Sequence, residues 1–550
     1  MKEQDLHIEL LADMKKKNID IALTLDILNR YNAGQFDHYE KVIPSGVPPL
    51  DGIHVIDIRN RSPNNILFKY PKQESILNLE HNDIFLHSAF PAGNKNIFEI
   101  REMGREMLCF TENALEEIGK HLLPKTAYGV LNGGSATSYI DIKKNGSIDE
   151  SLFEAVRLTF EDLAKEIENK PKGLTPAYIN PDGSAGASFL ELKMRSRLLI
   201  AKELGHGRLS RKPGALASSA YQKQPDFLPL FQMTSVGNHE ELLRAYEEMR
   251  VSPYLSDLAH VVGLEPCEWV SGIQPLIAAY THSTEGLPKR VFDRAYGKHN
   301  SSLAIPGGHG QSFMILADIY RTLLKQGMRY AMLSNVDNTG AYLDPIELAI
   351  LAISGKPAGF DFAFRTPVDV KGGILILAPN GSRNVVDIGP AIGLEEVECL
   401  EKSGSAILFN CATGIFDLEW LVPHIEEISR ALPIRFSDQS KDAGNYSQAE
   451  QVTWEVVSLL PDFIAFAVQK DRRFLAAKML IEMLLASGFG IDKPSIDPSL
   501  KQLGMTMHNG QSWLLENVYG LTKVNGRWLP QESALCILSL IHISEPTRPY

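Results

Sequence analysis

The chain has 550 residues, which is more than one ordinary core holds, so two or three domains are expected. Its residues are 44% hydrophobic and 22% charged, which is the composition of a soluble globular protein. The formal net charge of −12 disfavours a nucleic acid as the main partner, although a few local lysines could still hold a small phosphate. No apolar run reaches bilayer-spanning length, so no membrane contact is expected.

The expected location is the cytoplasm. The first twenty residues are polar and charged, without the apolar stretch of a secretory signal. The five cysteines are scattered without metal-ligand spacing, and their odd number suits a reducing compartment. The simplest interpretation of these cysteines is that they are small buried hydrophobic residues.

Residues 1–120 are expected to form an N-terminal helical or mixed region. Regularly spaced leucines and isoleucines indicate helices near its start, and residues 42–49 read as a connector rich in Pro and Gly. Two later segments are strand candidates, GIHVIDI and FLHSAF.

Residues 121–490 have the pattern of an α/β domain. Short apolar strands alternate with amphipathic helices, which predicts a mostly parallel sheet. The predicted strands include AYGVL, FLPLFQM, RYAMLSN, GGILILA and SAILFN. One helix is predicted over residues 312–325, stopping at Gly327, with a charged inserted helix over 145–169 and a mobile loop over 205–224.

The end of the chain divides into two parts. Residues 491–537 are expected to begin a C-terminal domain. Residues 538–550 resemble the translation of an adapter used in preparing sequencing libraries, and we expect them to be an artefact. On this interpretation the natural chain is truncated before Leu538, and its C-terminal domain is incomplete.

Two glycine-containing motifs could hold phosphate. In LNGGSATS, Gly133 and Gly134 follow a strand, so that main-chain N–H groups can approach a polyphosphate. In PKGL, Lys172 lies between Pro171 and Gly173 as a point charge suited to phosphate. The alternatives are an ordinary tight turn for the first motif and a solvated loop lysine for the second.

Two further motifs combine glycine or strand ends with polar groups. In PGGHGQ, three glycines surround His309 and could bring its ring and several N–H groups against a flat or anionic ligand. In LSNVDNTG, Asp337 follows a strand, where a carboxylate is well placed to hold Mg²⁺. The alternative for Asp337 is an Asx turn that closes the strand.

Two lysines beside glycines or apolar residues are the last candidates. Lys371 lies in DVKGG and Lys478 in RRFLAAK. A lysine in apolar surroundings needs a partner, and a phosphate would serve for both. A solvated face is the alternative, more so for Arg472 than for Lys478.

Taken in order, these motifs resemble the UTP–hexose-1-phosphate uridylyltransferases, the UDP-glucose pyrophosphorylase family. The resemblance covers about residues 125–487 and includes LNGGSATS, PKGL, FQMTS, PGGHGQ, LSNVDNTGA, DVKGG, FNCATGIFDLEWL and RFLAAK. It implies an α/β fold: a Rossmann-like nucleotidyltransferase core with a mixed, mostly parallel sheet, as the catalytic domain at 121–490. The family's C-terminal domain is a left-handed parallel β-helix, of which only a beginning could be present.

The resemblance also implies an activity, in which UTP and a sugar 1-phosphate give a UDP-sugar and pyrophosphate. These small molecules are the implied partners, and Mg²⁺ is the implied cofactor. Carried over by motif, the catalytic residues are Lys172, Lys478 and Asp337, with Asp337 as the metal ligand. The substrate-binding residues are Gly133, Gly134, Gly308, His309, Lys371 and Asn410, with Asn410 near the sugar hydroxyls.

The chain departs from the family pattern at two places. Ala136 stands where the family usually has a further glycine. The family's loop lysine follows within about a dozen residues, near Lys143 and Lys144 here, whereas Lys172 has the better Pro-Lys-Gly context. We take Lys172 as the loop lysine, and the departures leave a non-catalytic nucleotide-sugar sensor as an alternative.

The motifs also leave more than one sugar 1-phosphate as the candidate substrate. His309 stands where N-acetylhexosamine-using members typically have Asn, which favours a plain hexose such as glucose. A UDP-N-acetylhexosamine or broad UDP-sugar pyrophosphorylase remains the alternative. A glycosyltransferase on a related core is disfavoured, because no Asp-X-Asp motif follows a predicted strand.

Overall fold

The computed structural model describes residues 1–36, 44–90, 95–136, 139–146, 149–205, 227–366, 369–389, 391–476, 479–490 and 497–531. Nearly all of the predicted loop at 205–224, and the whole of the predicted artefact at 538–550, lie outside these residues. Among the described residues, no helix has the length and apolar character needed to cross a bilayer.

Helices and strands alternate along most of the described chain. The helices are α1 (Ile8–Lys16), α2 (Ile21–Asn32), α3 (Lys72–His81), α4 (Leu86–Ala89), α5 (Glu112–Leu122), α6 (Ile142–Gly146), α7 (Glu150–Ile167), α8 (Phe189–Glu203), α9 (His239–Met249), α10 (Ser256–Val262), α11 (Ser312–Ile315), α12 (Ala317–Lys325), α13 (Pro345–Ser354), α14 (Leu394–Lys402), α15 (Leu418–Ala431), α16 (Lys470–Arg473), α17 (Leu480–Ser487) and α18 (Pro498–Asn517). The strands are β1 (Val55–Asp57), β2 (Ile66–Pro71), β3 (Ile97–Glu102), β4 (Arg105–Thr111), β5 (Thr126–Leu131), β6 (Leu230–Ser235), β7 (Trp269–Gln274), β8 (Leu276–Ala278), β9 (Tyr280–Thr281), β10 (Ala304–Pro306), β11 (Tyr330–Asn335), β12 (Ala358–Phe364), β13 (Gly372–Leu377), β14 (Arg383–Ile388), β15 (Leu408–Asp417), β16 (Arg435–Lys441), β17 (Gly444–Glu450), β18 (Ile464–Val468), β19 (Leu521–Val524) and β20 (Arg527–Pro530).

A mixed central sheet organises the fold. Within the described ranges it has ten strands, with the main order β1-β18-β12-β15-β11-β5-β6-β7 and β13–β14 attached to β15. The pairs along the main order are parallel except at β15, which runs antiparallel to β11, β12 and β13, and the attached pair β13–β14 is antiparallel as well. The fully buried strand β5 reads as continuous apolar or small residues, as a strand covered on both faces does, and β15 does so apart from Asn410 and Asp417. The predicted mostly parallel α/β sheet is confirmed.

Two apolar layers cover the faces of this sheet. One layer includes buried residues of α5, α7, α8, α13 and α17, and the other includes those of α12 and α15. A smaller cluster joins α1 and α2 to β8–β10, β16 and β17. After α17, the helix α18 and the hairpin β19–β20 pack into the first layer through residues such as Leu514, Tyr519 and Trp528.

Two element predictions were wrong. FLHSAF, predicted as a strand, contains the short helix α4, because a short apolar run has no period that separates a strand from a buried helical turn. The single helix predicted over 312–325 is divided at Leu316 into α11 and α12. Gly327 does follow its end with φ +90°, as a C-terminal glycine should.

Candidate active site

The predicted motifs come together at one edge of the central sheet. β5 and β11 are parallel neighbours, with Leu131 opposite Asn335, so the segments after both strands leave the sheet side by side. β15 runs the other way, with Thr413 opposite Ser334, which brings its amino-terminal residues to the same edge. Ligands of open α/β sheets bind beyond the carboxyl ends of the strands, so this edge is the candidate active site.

Lys172 joins the glycine loop after β5. Its main-chain N–H donates to the carbonyl of Gly134 at 3.1 Å, and Ser135 pairs with Pro171. The ammonium of Lys172 contacts the carboxylate of Asp337, which is 7% exposed. Lys172 therefore lies between the glycine loop and the carboxylate.

The other two loop lysine candidates, Lys143 and Lys144, are solvent-exposed, whereas Lys172 is partly buried against Asp337. Both exposed lysines lie on α6. Ala136, where the family usually has glycine, is 1% exposed and packs in the apolar layer, so its side chain points away from the open side of the loop. The contact with Asp337 favours Lys172 as the loop lysine, and the buried Ala136 methyl group packs against the core rather than into the open side of the loop.

Gln274, at the end of β7, links the two glycine motifs. Its amide Nε2 donates to the carbonyl of Gly308 at 2.7 Å. Its Oε1 lies 3.2 Å from the position that a Cβ on Gly133 would take. Gly308 has φ +84°, and a Cβ there would lie 2.4 Å from the carbonyl oxygen of Gln451. Only glycine fits at position 308, and the side chain of Gln274 lies between the two motifs.

The charge of the Asp337 carboxylate acts on His309 and raises the pKa of its ring, against the effect of burial. The main-chain N–H of Thr453 donates to Nδ1 of His309 at 3.1 Å, which leaves Nε2 as the protonated nitrogen of the neutral ring. Burial lowers the pKa of His309 to about 4, and the charge of Asp337 opposes this only partly. His309 is therefore a neutral N–H donor at neutral pH.

Asn338, directly after Asp337, ties three segments together. Its amide Nδ2 donates to the carbonyls of Cys411 at 3.2 Å and Arg473 at 3.0 Å. Its Oδ1 accepts from the N–H of Leu475 at 3.1 Å. The described part of RFLAAK thus runs beside the loop that carries Asp337, with Ala476 paired to Asn338. Lys478 itself lies outside the described residues.

Asn410 and Lys371 lie at the β13–β15 side of the edge. Asn410 is 6% exposed, and its Nδ2 has no hydrogen-bond acceptor among the described residues, which suits a group that donates to a ligand. Lys371 is exposed just before β13. A Cβ on Gly373 would lie 3.6 Å from the Cβ of Asn410, so Lys371 is two residues from a close neighbour of Asn410.

Asp337 could bind a hard cation such as Mg²⁺ only together with ligands that the substrate supplies. In the part of the chain that the structure describes, no group of three His, Cys, Asp or Glu side chains could hold a metal ion. Mg²⁺ is commonly held by one or two carboxylates together with substrate phosphates. A cation at this edge would therefore be bound by Asp337 jointly with the phosphates of a nucleotide.

Sequence reasoning missed Gln274 and Thr453. Gln274 had a usable signal, since it is a polar residue at the carboxyl end of the strand WVSGIQ. Thr453 had none, because its contact with His309 spans 144 residues and involves main-chain atoms.

The comparisons with known proteins point to one family. Residues 289–493 match the sequence model of a family described as UTP--glucose-1-phosphate uridylyltransferase. A probable UTP--glucose-1-phosphate uridylyltransferase of Schizosaccharomyces pombe is 26% identical over 208 residues, which is 36% of this chain and 41% of that protein. UTP--glucose-1-phosphate uridylyltransferase 2 of Dictyostelium discoideum is 32% identical over 116 residues, 20% of this chain and 22% of that protein. The matches thus span less than half the length of either relative.

A solved structure shares the fold. The crystal structure of a mutant UDP-glucose pyrophosphorylase from Leishmania major aligns over 88% of this chain and 79% of that chain, with a TM-score of 0.51 and 15% sequence identity. At this identity the likeness bears on the architecture alone, and it agrees with the Rossmann-like core that the motifs imply.

Proposed function

We propose that this chain, which belongs to the UDP-glucose pyrophosphorylase family, transfers a uridylyl group from UTP to a sugar 1-phosphate. The products are a UDP-sugar and pyrophosphate. The observation that carries the proposal is the contact of Lys172 with Asp337 beside the glycine loop, at the edge that also holds His309. The motif residues come from segments far apart in the chain, and a triphosphate with a hard cation needs this combination of groups.

The reaction needs positioning and charge neutralisation more than acid–base chemistry. An oxygen of the sugar 1-phosphate forms a bond to the α-phosphorus of UTP, and the bond from that phosphorus to the bridging oxygen of pyrophosphate breaks. The attacking oxygen is already ionised at neutral pH, so we assign no general base. The ammonium of Lys172 offsets charge on the α-phosphate, and we propose the same for Lys478, two residues after Ala476.

The remaining residues bind and orient the substrates. Mg²⁺, held by Asp337 and phosphate oxygens, would supply further charge neutralisation. The N–H groups near Gly133 and Gly134 lie along the nucleotide phosphates, and Gly308 and His309 lie against the uracil and the sugar phosphate. The free Nδ2 of Asn410 donates to a sugar hydroxyl, and Lys371 contacts a phosphate or the sugar.

We propose glucose 1-phosphate as the preferred sugar phosphate, because His309 replaces the Asn that is typical of N-acetylhexosamine users. We also propose a cytoplasmic location, since the described cysteines Cys109, Cys267, Cys399 and Cys411 are all unpaired.

The test is pyrophosphate release from UTP with Mg²⁺ and a panel of sugar 1-phosphates. We expect glucose 1-phosphate to give the highest kcat/KM. Asp337→Ala is expected to lower turnover at least about 100-fold. The matched control is Asp417→Ala, which removes an equally buried carboxylate, paired with Arg329, at the opposite end of β15. If the two variants have the same turnover per folded molecule, Asp337 has no role in the reaction.

Pyrophosphate exchange into UTP separates the enzyme from a sensor on the same fold. A sensor binds the UDP-sugar but exchanges no pyrophosphate. Binding without exchange in the unaltered protein therefore overturns the proposed activity and supports the sensor.

A further inference from the structure

Helix α8 buries three basic side chains at alternate positions. Lys193, Arg195 and Arg197 are 0%, 1% and 2% exposed, although charged side chains are seldom fully buried without partners. Each donates to main-chain carbonyls: Arg195 to those of Tyr519 and Gly520, for example, and Arg197 to that of Phe227 and others. The helix therefore holds several loops by charged hydrogen bonds to their backbones.

Lys193 holds the loop that carries the candidate metal ligand. Its Nζ donates to the carbonyls of Asn338 and Ala341, both at 2.6 Å. These two carbonyls lie one and four residues after Asp337. Lys172 contacts the carboxylate of Asp337, whereas Lys193 reaches the backbone of the same loop from the buried helix α8. One stretch of chain, residues 172–193, thus supplies both lysines.

The fixed residue, Asn338, is the junction of the site. Through its side chain it joins β15 at Cys411 to the segment that leads to Lys478, at Arg473 and Leu475. A shift of Asn338 would therefore move the neighbouring Asp337 and loosen its connection to both segments. Burial, with a smaller contribution from the like charge of Arg473, lowers the pKa of Lys193 to about 7. If position 193 served only to pack the core, an apolar side chain there would give a more stable fold.

We propose that Lys193 is a positioning residue for the uridylyl transfer, whose ammonium fixes loop 337–341 and thereby the carboxylate of Asp337. This inference rests on the proposed function for its kinetic part, and on the geometry alone for its structural part.

The test compares Lys193→Met with Arg197→Met, because Arg197 donates to the carbonyls of Phe227, Leu228 and Glu265, which lie outside loop 337–341. Both variants remove a buried cation from α8 that donates to main-chain carbonyls, and both should lower Tm. Only Lys193→Met should also lower kcat, on the order of 100-fold, because displacement of a positioned group by about 1 Å has that effect. Its KM for the sugar 1-phosphate should stay within about twofold, since Lys193 donates to the carbonyls of Asn338 and Ala341, neither of which is proposed to bind the sugar. Should Lys193→Met fail to fold, Lys193→Gln takes its place, because its neutral NH2 group can still donate to a carbonyl but from a shorter side chain without the charge.

Hydrogen exchange provides a readout that does not need turnover. Amides of residues 338–341 should exchange faster in Lys193→Met than in Arg197→Met, when each variant is measured at the same number of degrees below its own Tm. If the unaltered protein transfers no uridylyl group but Lys193→Met still exchanges these amides faster, the proposed function is refuted while the fixing of loop 337–341 by Lys193 is supported. Equal exchange in the two variants, or equal losses of kcat, overturns the positioning role.

Discussion

Replacing Gly134 with alanine tests whether a polyphosphate lies against the loop after β5. A Cβ at position 134 would have no atom within 4 Å outside its neighbours, and Gly134 is not among the residues with positive φ. The added methyl group therefore enters the open side of the loop without strain. The adjacent Gly133 differs, because a Cβ there would contact the amide of Gln274 at 3.2 Å.

The expected effects on stability and on binding have different sizes. Gly→Ala at an unstrained position raises the free energy of unfolding by about 0.4–1 kcal/mol, because the unfolded chain loses freedom. A methyl group between the main-chain N–H groups and a phosphate should weaken UTP binding about 10- to 100-fold, or about 1.4–2.7 kcal/mol. Gly308→Ala should instead lose about 1–3 kcal/mol of stability from its backbone conformation alone, before the clash with Gln451 is counted.

The assays are urea unfolding and calorimetric titration with UTP and Mg²⁺. Gly46→Ala is the matched control: Gly46 is equally open, has no positive φ, and its carbonyl accepts from Leu377 at the far end of β13. We expect Gly46→Ala to bind UTP normally. If Gly134→Ala is as stable as expected and still binds UTP with the unaltered Kd, no polyphosphate passes this loop and the phosphate role of Gly134 is refuted.

Three further predictions concern charge and strain. Burial raises the pKa of Glu347 well above its usual range, so Glu347→Gln should change the free energy of unfolding by less than about 1 kcal/mol. Arg473→Met, in contrast, leaves the Asp361 carboxylate buried without the guanidinium, and it should lower the free energy of unfolding in urea by about 3–5 kcal/mol. The folded-state pKa of His309 is about 4, below its unfolded value of 6.5, so the contribution of His309 to the free energy of unfolding is complete above pH 6.5 and is lost as the pH falls towards 4. In His309→Gln, the free energy of unfolding measured in urea should therefore fall by up to about 3 kcal/mol less between these two pH values. Ala412 has φ +52° inside β15, and Ala412→Gly should raise Tm by relieving strain of about 1 kcal/mol.

The outcomes that contradict these predictions are specific. A large loss in Glu347→Gln would mean that the carboxylate is ionised in the buried cluster. An unchanged pH profile in His309→Gln would assign the acid lability to other groups. A lower Tm for Ala412→Gly would mean that the freedom gained by the unfolded chain outweighs the strain relieved in the strand.

The sequence determined the parts of this protein that depend on neighbouring residues. Apolar strands followed by Gly133, Gly134 and Asp337 could be recognised because strand burial and glycine turns are local properties, and parallel strands bring their carboxyl ends to one edge. The sheet, and the placement of these motifs at the ends of strands, could therefore be predicted. The structure of FLHSAF could not, because a six-residue apolar run fits either a strand or a buried helical turn.

The tertiary structure alone decided which groups meet. The contact between Lys172 and Asp337 spans 165 residues, and helix α7 lies in the chain between the glycine loop and Lys172, so spacing could not choose among the lysines. Gln274 and Lys193 gained their roles only when β7 and α8 came to lie beside loops from other parts of the chain. A hydrogen bond at 2.6 Å depends on where two backbones pass in space, and periodicity along one segment carries no information about the other.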